Sequence, residues 1–169
     1  MAINLDGSGV NTTGLINSAT AKASTSGTSI DFTGIPSGVK RVTVMFNGVS
    51  TNGTSAILVQ LGYSGGIENT GYVSTATGFT GAAGSTASST AGFILSYDAA
   101  SYIISGLMTI TTLGSNVWVQ AGSGKLATSA SGVWAGNKTT TGTLDRVRIT
   151  TVNGTDTFDA GTINVLWEG

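Results

Sequence analysis

The sequence has no cysteine, no histidine and one proline, Pro36, in 169 residues, and few charges: seven Lys or Arg against eight Asp or Glu, for a net charge of −1. Each shortage excludes a class of chemistry. Without Cys there is no thiolate nucleophile, disulfide framework or structural zinc site. Without His there is no Ser-His-Asp triad and no imidazole metal ligand. The charged fraction is 9%, against about 25% in an ordinary domain. Scattered basic residues in so neutral a chain lack the electrostatic footprint that phosphate binding needs, so nucleic acid is not an expected partner. Long apolar runs are also missing. An uninterrupted stretch such as Ala56 to Val59 has four residues, far below the roughly 18 of a membrane-spanning segment. Met1 to Val10 carries neither a basic nor an apolar signal region, so no secretion leader is expected and no membrane partner follows.

What is abundant is small and hydroxyl-bearing: 26 Gly, 20 Ser and 28 Thr, together 74 positions. Such a composition could belong to a linker, but 40% of the residues are hydrophobic and they gather in short alternating runs. A folded single domain over residues 1–169 is the expectation from this length, with residues 1–27 as an extended N-terminal arm.

The hydrophobic period is two. Val42, Val44 and Phe46 alternate with Arg41, Thr43, Met45 and Asn47; Val147 and Ile149 alternate with Arg146, Arg148 and Thr150; Ile163, Val165 and Trp167 share one side of Thr162 to Glu168. Further strands are expected at Thr28 to Phe32, Ser55 to Gly62, Gly71 to Thr77, Gly92 to Tyr97, Tyr102 to Thr112 and Val117 to Ala121, with a weaker one near Thr20 to Ser24. Asn47-Gly48, Asn52-Gly53, Gly65-Gly66 and Asn153-Gly154 read as turns. No apolar stripe repeats at helical spacing. The fold class is therefore all-β: an antiparallel β-sandwich of eight to ten short strands, jelly-roll-like. Gly78 to Ala91 and Ser123 to Gly142 read as long loops, the second carrying Trp134 between Lys125 and Lys138.

No motif supplies a catalytic site, and the chain is read as a non-enzyme with no cofactor and no metal. Ala121 to Leu126 approaches the end of a phosphate-binding loop but has Val119 where the first glycine belongs and Leu126 where Ser or Thr belongs, so it reads as a turn. Asp145, Asp156 and Asp159 would have to converge to form a Ca²⁺ site or an acid/base pair. Turn formation explains residues of this kind at strand ends. Four Asn-X-Thr triplets are expected by chance in so threonine-rich a chain. The aromatic residues Trp134, Tyr72 and Tyr97 are the candidates for a subunit contact or a glycan contact, with Trp134 expected at the surface and Trp118 packed.

The run Ile30 to Ser50 (Ile-Asp-Phe-Thr-Gly-Ile-Pro-Ser-Gly-Val-Lys-Arg-Val-Thr-Val-Met-Phe-Asn-Gly-Val-Ser) resembles a group of short β-rich structural proteins encoded by tailed bacteriophages. The resemblance continues at Leu58 to Gly62, Leu144 to Ile149 and Asp156 to Glu168. It covers both head-associated and tail-associated virion proteins and carries no catalytic residues. It implies a jelly-roll-like structural component. The first expectation is a decoration or cement protein on the outer surface of the capsid. Such a protein would be made in the bacterial host cytoplasm, associate with itself as a homotrimer and bind the lattice of the major capsid protein. The alternative is a tail-fibre tip or receptor-binding module that contacts host surface glycans.

Overall fold

A computed structural model describes the backbone of residues 4–6 and 9–11, and residues 16–95 and 99–169 in full. It is an all-β antiparallel sandwich, the class expected from the sequence, and consistent with the jelly-roll expectation. The strands in chain order are β1 (Asn4–Asp6), β2 (Gly9–Asn11), β3 (Asn17–Ser18), β4 (Lys22–Ala23), β5 (Ser29–Thr33), β6 (Arg41–Thr51), β7 (Ile57–Tyr63), β8 (Gly66–Ile67), β9 (Tyr72–Thr80), β10 (Ala83–Ser89), β11 (Phe93–Ile94), β12 (Ile104–Gly114), β13 (Val117–Ala127), β14 (Ala130–Thr139), β15 (Arg146–Thr151) and β16 (Phe158–Glu168). A nine-stranded sheet runs β10-β9-β14-β13-β12-β6-β16-β3, with β4 also on β16; a five-stranded sheet runs β11-β7-β15-β5, with β8 on β7. Strands β1 and β2 pair with each other.

The core is where the period-two aliphatic runs meet. In the small sheet, Ile30, Ile149, Val59 and Phe93 form one cross-strand row, and Phe32, Val147 and Leu61 the next. In the large sheet, Val165, Val44 and Met108 lie in one row, with Ile163 and Phe46 beside it. All of these residues are buried. Burial of each such side chain contributes about 1.5–3 kcal/mol; β7 is buried on both faces, with Leu58 and Gln60 opposite Val59 and Leu61.

Strands β6 and β16 are bent together by a bulge. Their register shifts around Ala160, where Gly161 has φ of +95° and a Cβ on it would stand 2.4 Å from Gly48 O. Only glycine fits that bulge. The loops beyond the bend clasp each other: Asn52 Oδ1 accepts from Thr157 N at 2.9 Å, and Asp156 Oδ2 accepts from Ser55 N at 2.9 Å. Asn153 Oδ1 accepts from Thr155 N and Asp156 N, which makes Asn153-Gly154 the expected turn.

Several expectations need correction: Asn47-Gly48, expected as a turn, lies within β6. Gly78 to Ala91 is no loop: it is the end of β9, a two-residue turn at Gly81 (φ +61°), and β10. Ser123 to Gly142 is largely the β13–β14 hairpin. Both hide their strand character because many inward positions are held by Gly, Ala and Ser, with Leu126, Trp134 and Lys138 as the large inward side chains of the second. The described residues form 16 strands, where eight to ten were expected, and several are long, up to 11 residues, where short ones were expected. Within residues 1–27, β3 and β4 pair with β16.

Candidate functional site

Strands β9, β13 and β14 settle where the aromatic candidates lie. On β14 the inward positions are Ala130, Gly132, Trp134 and Lys138, and on β13 they are Trp118, Gln120, Gly122, Gly124 and Leu126. Trp134 is 2% exposed, not at the surface as expected. Its indole lies against glycines: a Cβ on Gly122 would stand 2.1 Å from Trp134 Nε1, and one on Gly124 would stand 2.9 Å from Cη2. The residue thus fills the volume its neighbours lack, in the row Met108, Gly122, Trp134, Ala76, Ala87. Trp118 is packed, as expected.

Tyr72 is 1% exposed and is a joint between the sheets. Its hydroxyl accepts from Leu61 N of β7 at 2.6 Å and donates to Glu68 O at 3.0 Å, and its ring meets Phe93 edge to face at 5.1 Å. Burial pushes the Tyr72 phenol up, outweighing the Leu61 N–H that favours its anion. The Lys138 ammonium lies 5.2 Å from the centre of the same ring and pairs with Glu68. Burial raises the Glu68 carboxyl, but Lys138 and the Thr141 N–H, at 2.7 Å, outweigh it and hold it below the usual range. Neither Trp134 nor Tyr72 is placed to meet a glycan or a neighbouring subunit. Tyr97 lies outside the described residues.

The acidic residues do not converge. Asp145 accepts both its bonds from the adjacent Arg146, Asp156 belongs to the loop clasp, and Asp159 accepts from Ser50. Asp31 and Arg148 form a bidentate pair at 2.7 Å across β5 and β15. Among the described residues no group of three or more Asp or Glu side chains could hold a metal. The segment Ala121 to Leu126 is strand, not turn.

What the strands do present is the outer face of the large sheet. Cross-strand rows on it read Met45, Leu107, Ser123, Val133, Thr77, Thr86, then Thr43, Thr109, Ala121, Ala135, Thr75, Ser88, then Arg41, Thr111, Val119, Asn137, Val73. Val73 is 67% exposed, and Phe79, Leu107, Val119 and Val133 are each more than 40% exposed. Across β6, β12, β13, β14 and β9 the outward charges in these rows and the one beyond are Arg41, paired with Glu168, and Lys125. Six strands about 4.8 Å apart and about nine residues long span about 900 Å². A face so broad, apolar and hydroxyl-bearing offers contact area. Sequence reading missed its extent because β10, β14 and the second half of β13 fall in segments read as loops. Compared with known proteins, the chain matches no family model, no curated protein and no solved structure.

Proposed function

We propose that this chain is a structural virion protein of a tailed bacteriophage, a decoration protein that cements the head by binding the lattice of the major capsid protein on its outer surface. The observation that carries the reading is the outer face of the large sheet, whose five exposed large hydrophobics sit among hydroxyls with almost no charge. Its extent is close to the roughly 800 Å² that each partner contributes to a standard interface. Binding to the assembled lattice and not to dissociated subunits would stabilise the shell by mass action. The segments that resemble phage structural proteins form β5, β6, β7, β15 and β16, so the resemblance falls mainly on the small sheet and the β6–β16 pair and, β6 apart, outside the contact face. The glycan-binding alternative is weakened, since two of its three aromatic residues, Trp134 and Tyr72, are buried.

Immunogold labelling of intact virions with an antibody against this protein tests the proposal. Label over the heads is expected; label confined to the tail, or unlabelled virions from cells that make the protein, would overturn it.

A further inference from the structure

A sheet edge exposes backbone donors and acceptors that will pair with any compatible strand, so proteins shorten, charge or cover their edges. The edges here differ sharply in this respect. The far side of the large sheet ends in β3 and β4, two residues each, the second carrying Lys22. In the small sheet β11 has two residues, and β5 is covered in part by Lys22, whose Nζ donates to Asp31 O. Strand β10 has none of these protections. It is seven residues long, Ala-Gly-Ser-Thr-Ala-Ser-Ser, without charge, proline or register shift, and among the described residues its one strand partner is β9.

The register identifies which backbone groups are free. The two-residue turn makes Thr80 and Ala83 a hydrogen-bonded pair, so Ala83, Ser85, Ala87 and Ser89 bond to β9, and Gly84, Thr86 and Ser88 direct their N–H and C=O groups away from it. Consistent with this, Thr77 and Thr86 are a closely spaced non-bonded pair, their hydroxyls 3.2 Å apart. Three donor and acceptor sets on alternate residues, centred on Thr86 and without a strand partner among the described residues, make the edge self-complementary.

We propose that β10 pairs antiparallel with β10 of a second copy of this chain about a two-fold axis at Thr86. Thr86 then bonds Thr86 of the partner subunit in both directions, and Gly84 on each copy bonds Ser88 on the other, six main-chain hydrogen bonds in all. A second copy fits this edge better than a charged partner strand would. The strand sets no ion against itself, its side chains are small on both faces, and a two-fold contact uses both open edges at once and stops there. The two nine-stranded sheets become one continuous sheet, and their outer faces, almost without charge, become a single surface. A two-fold contact also replaces the three-fold one expected from the sequence, because a ring would need a second open edge to receive β10. The inference stands apart from the virion reading and is tested on the purified protein alone.

Sedimentation equilibrium should give a species of twice the 16.8 kDa chain mass. Thr86→Pro removes only N–H groups that face the partner and leaves the ladder to β9 intact, so it should raise the dimer dissociation constant about thirty-fold. Thr86→Lys keeps the N–H but sets two ammonium groups opposite each other, and should also give monomer; it decides the matter if the proline variant does not fold. In the wild type the Thr86 and Ser88 amides should exchange slowly, and in Thr86→Lys quickly. A monomer or a trimer mass for the wild type, or a dimer that survives Thr86→Lys with those amides exchanging fast in both proteins, would overturn the proposal.

Discussion

The Lys138 ammonium meets Glu68 Oε2 at 2.5 Å, with both side chains less than a tenth exposed. Removing one member of such a pair strands the other in a site built for both, at a cost of about 3–5 kcal/mol. Lys138→Met should therefore lower the urea midpoint sharply. Lys138→Met combined with Glu68→Gln, which keeps an acceptor for Thr141 N–H, should recover most of the loss. Equal destabilisation in the single and double variants would mean that packing of the lysine stem over Tyr72 dominates instead of charge.

Four carboxyls are held below their ordinary range. Asp31 is held by its bonds from Arg148, Asp145 by Arg146 and Asp156 by the Asn153 amide, and Glu68 is held by Lys138 against the opposing effect of burial. A carboxyl whose folded value is depressed contributes stability above its unfolded value and loses it as pH falls through the folded one. Stability should begin to drop near pH 4.5 for Glu68 and pH 3.8 for the aspartates. Urea midpoints recorded from about pH 7 to about pH 3 check this; a rise on acidification would contradict the assigned pairs.

Trp134→Ala should act on folding, not on binding. It removes a buried indole from the centre of the large sheet, and changes of that kind cost about 3–5 kcal/mol. Calorimetry should show a much lower Tm. In the wild type, Trp134 and Trp118 fluorescence should resist iodide quenching, and quenching of all three tryptophans alike would disprove their burial.

Gly122→Ala tests the same region from below. The added methyl would stand 2.1 Å from Trp134 Nε1 and 2.4 Å from Leu107 O. Backbone cannot yield as a flexible side chain does, so about 1–3 kcal/mol of destabilisation is expected. A Tm equal to wild type would show that the indole lies elsewhere.

Strands β6, β15 and β16 were legible because large aliphatics alternate with polar residues, as in Val42, Val44 and Phe46. Strand β14 was not: Gly132, Trp134 and Gly136 alternate too, but in glycines, whose inward role depends on the ring that lies over them. That spacing, set against Gly122 and Gly124 on the facing strand, was the signal available. Strand β10 lies on the rim, where neither face has to be buried, so its side chains carry no periodicity for sequence reading to use. The partnership of Glu68 and Lys138 depends on pairing between strands far apart in the chain, and no local pattern encodes it.

The position of β16 bears on how the molecule is made. It lies between β6 on one side and β3 and β4 on the other, so the strand pairing of β3, of β4 and of that flank of β6 waits for residues 158–168. The large sheet therefore cannot be completed while the ribosome is still working through the middle of the chain. An order of assembly that joins the two ends belongs to the slow, millisecond-to-second class of folding. During that interval β6 exposes a second strand-length edge, so chaperone capture or a low synthesis temperature should raise soluble yield more than any change at the mature surface.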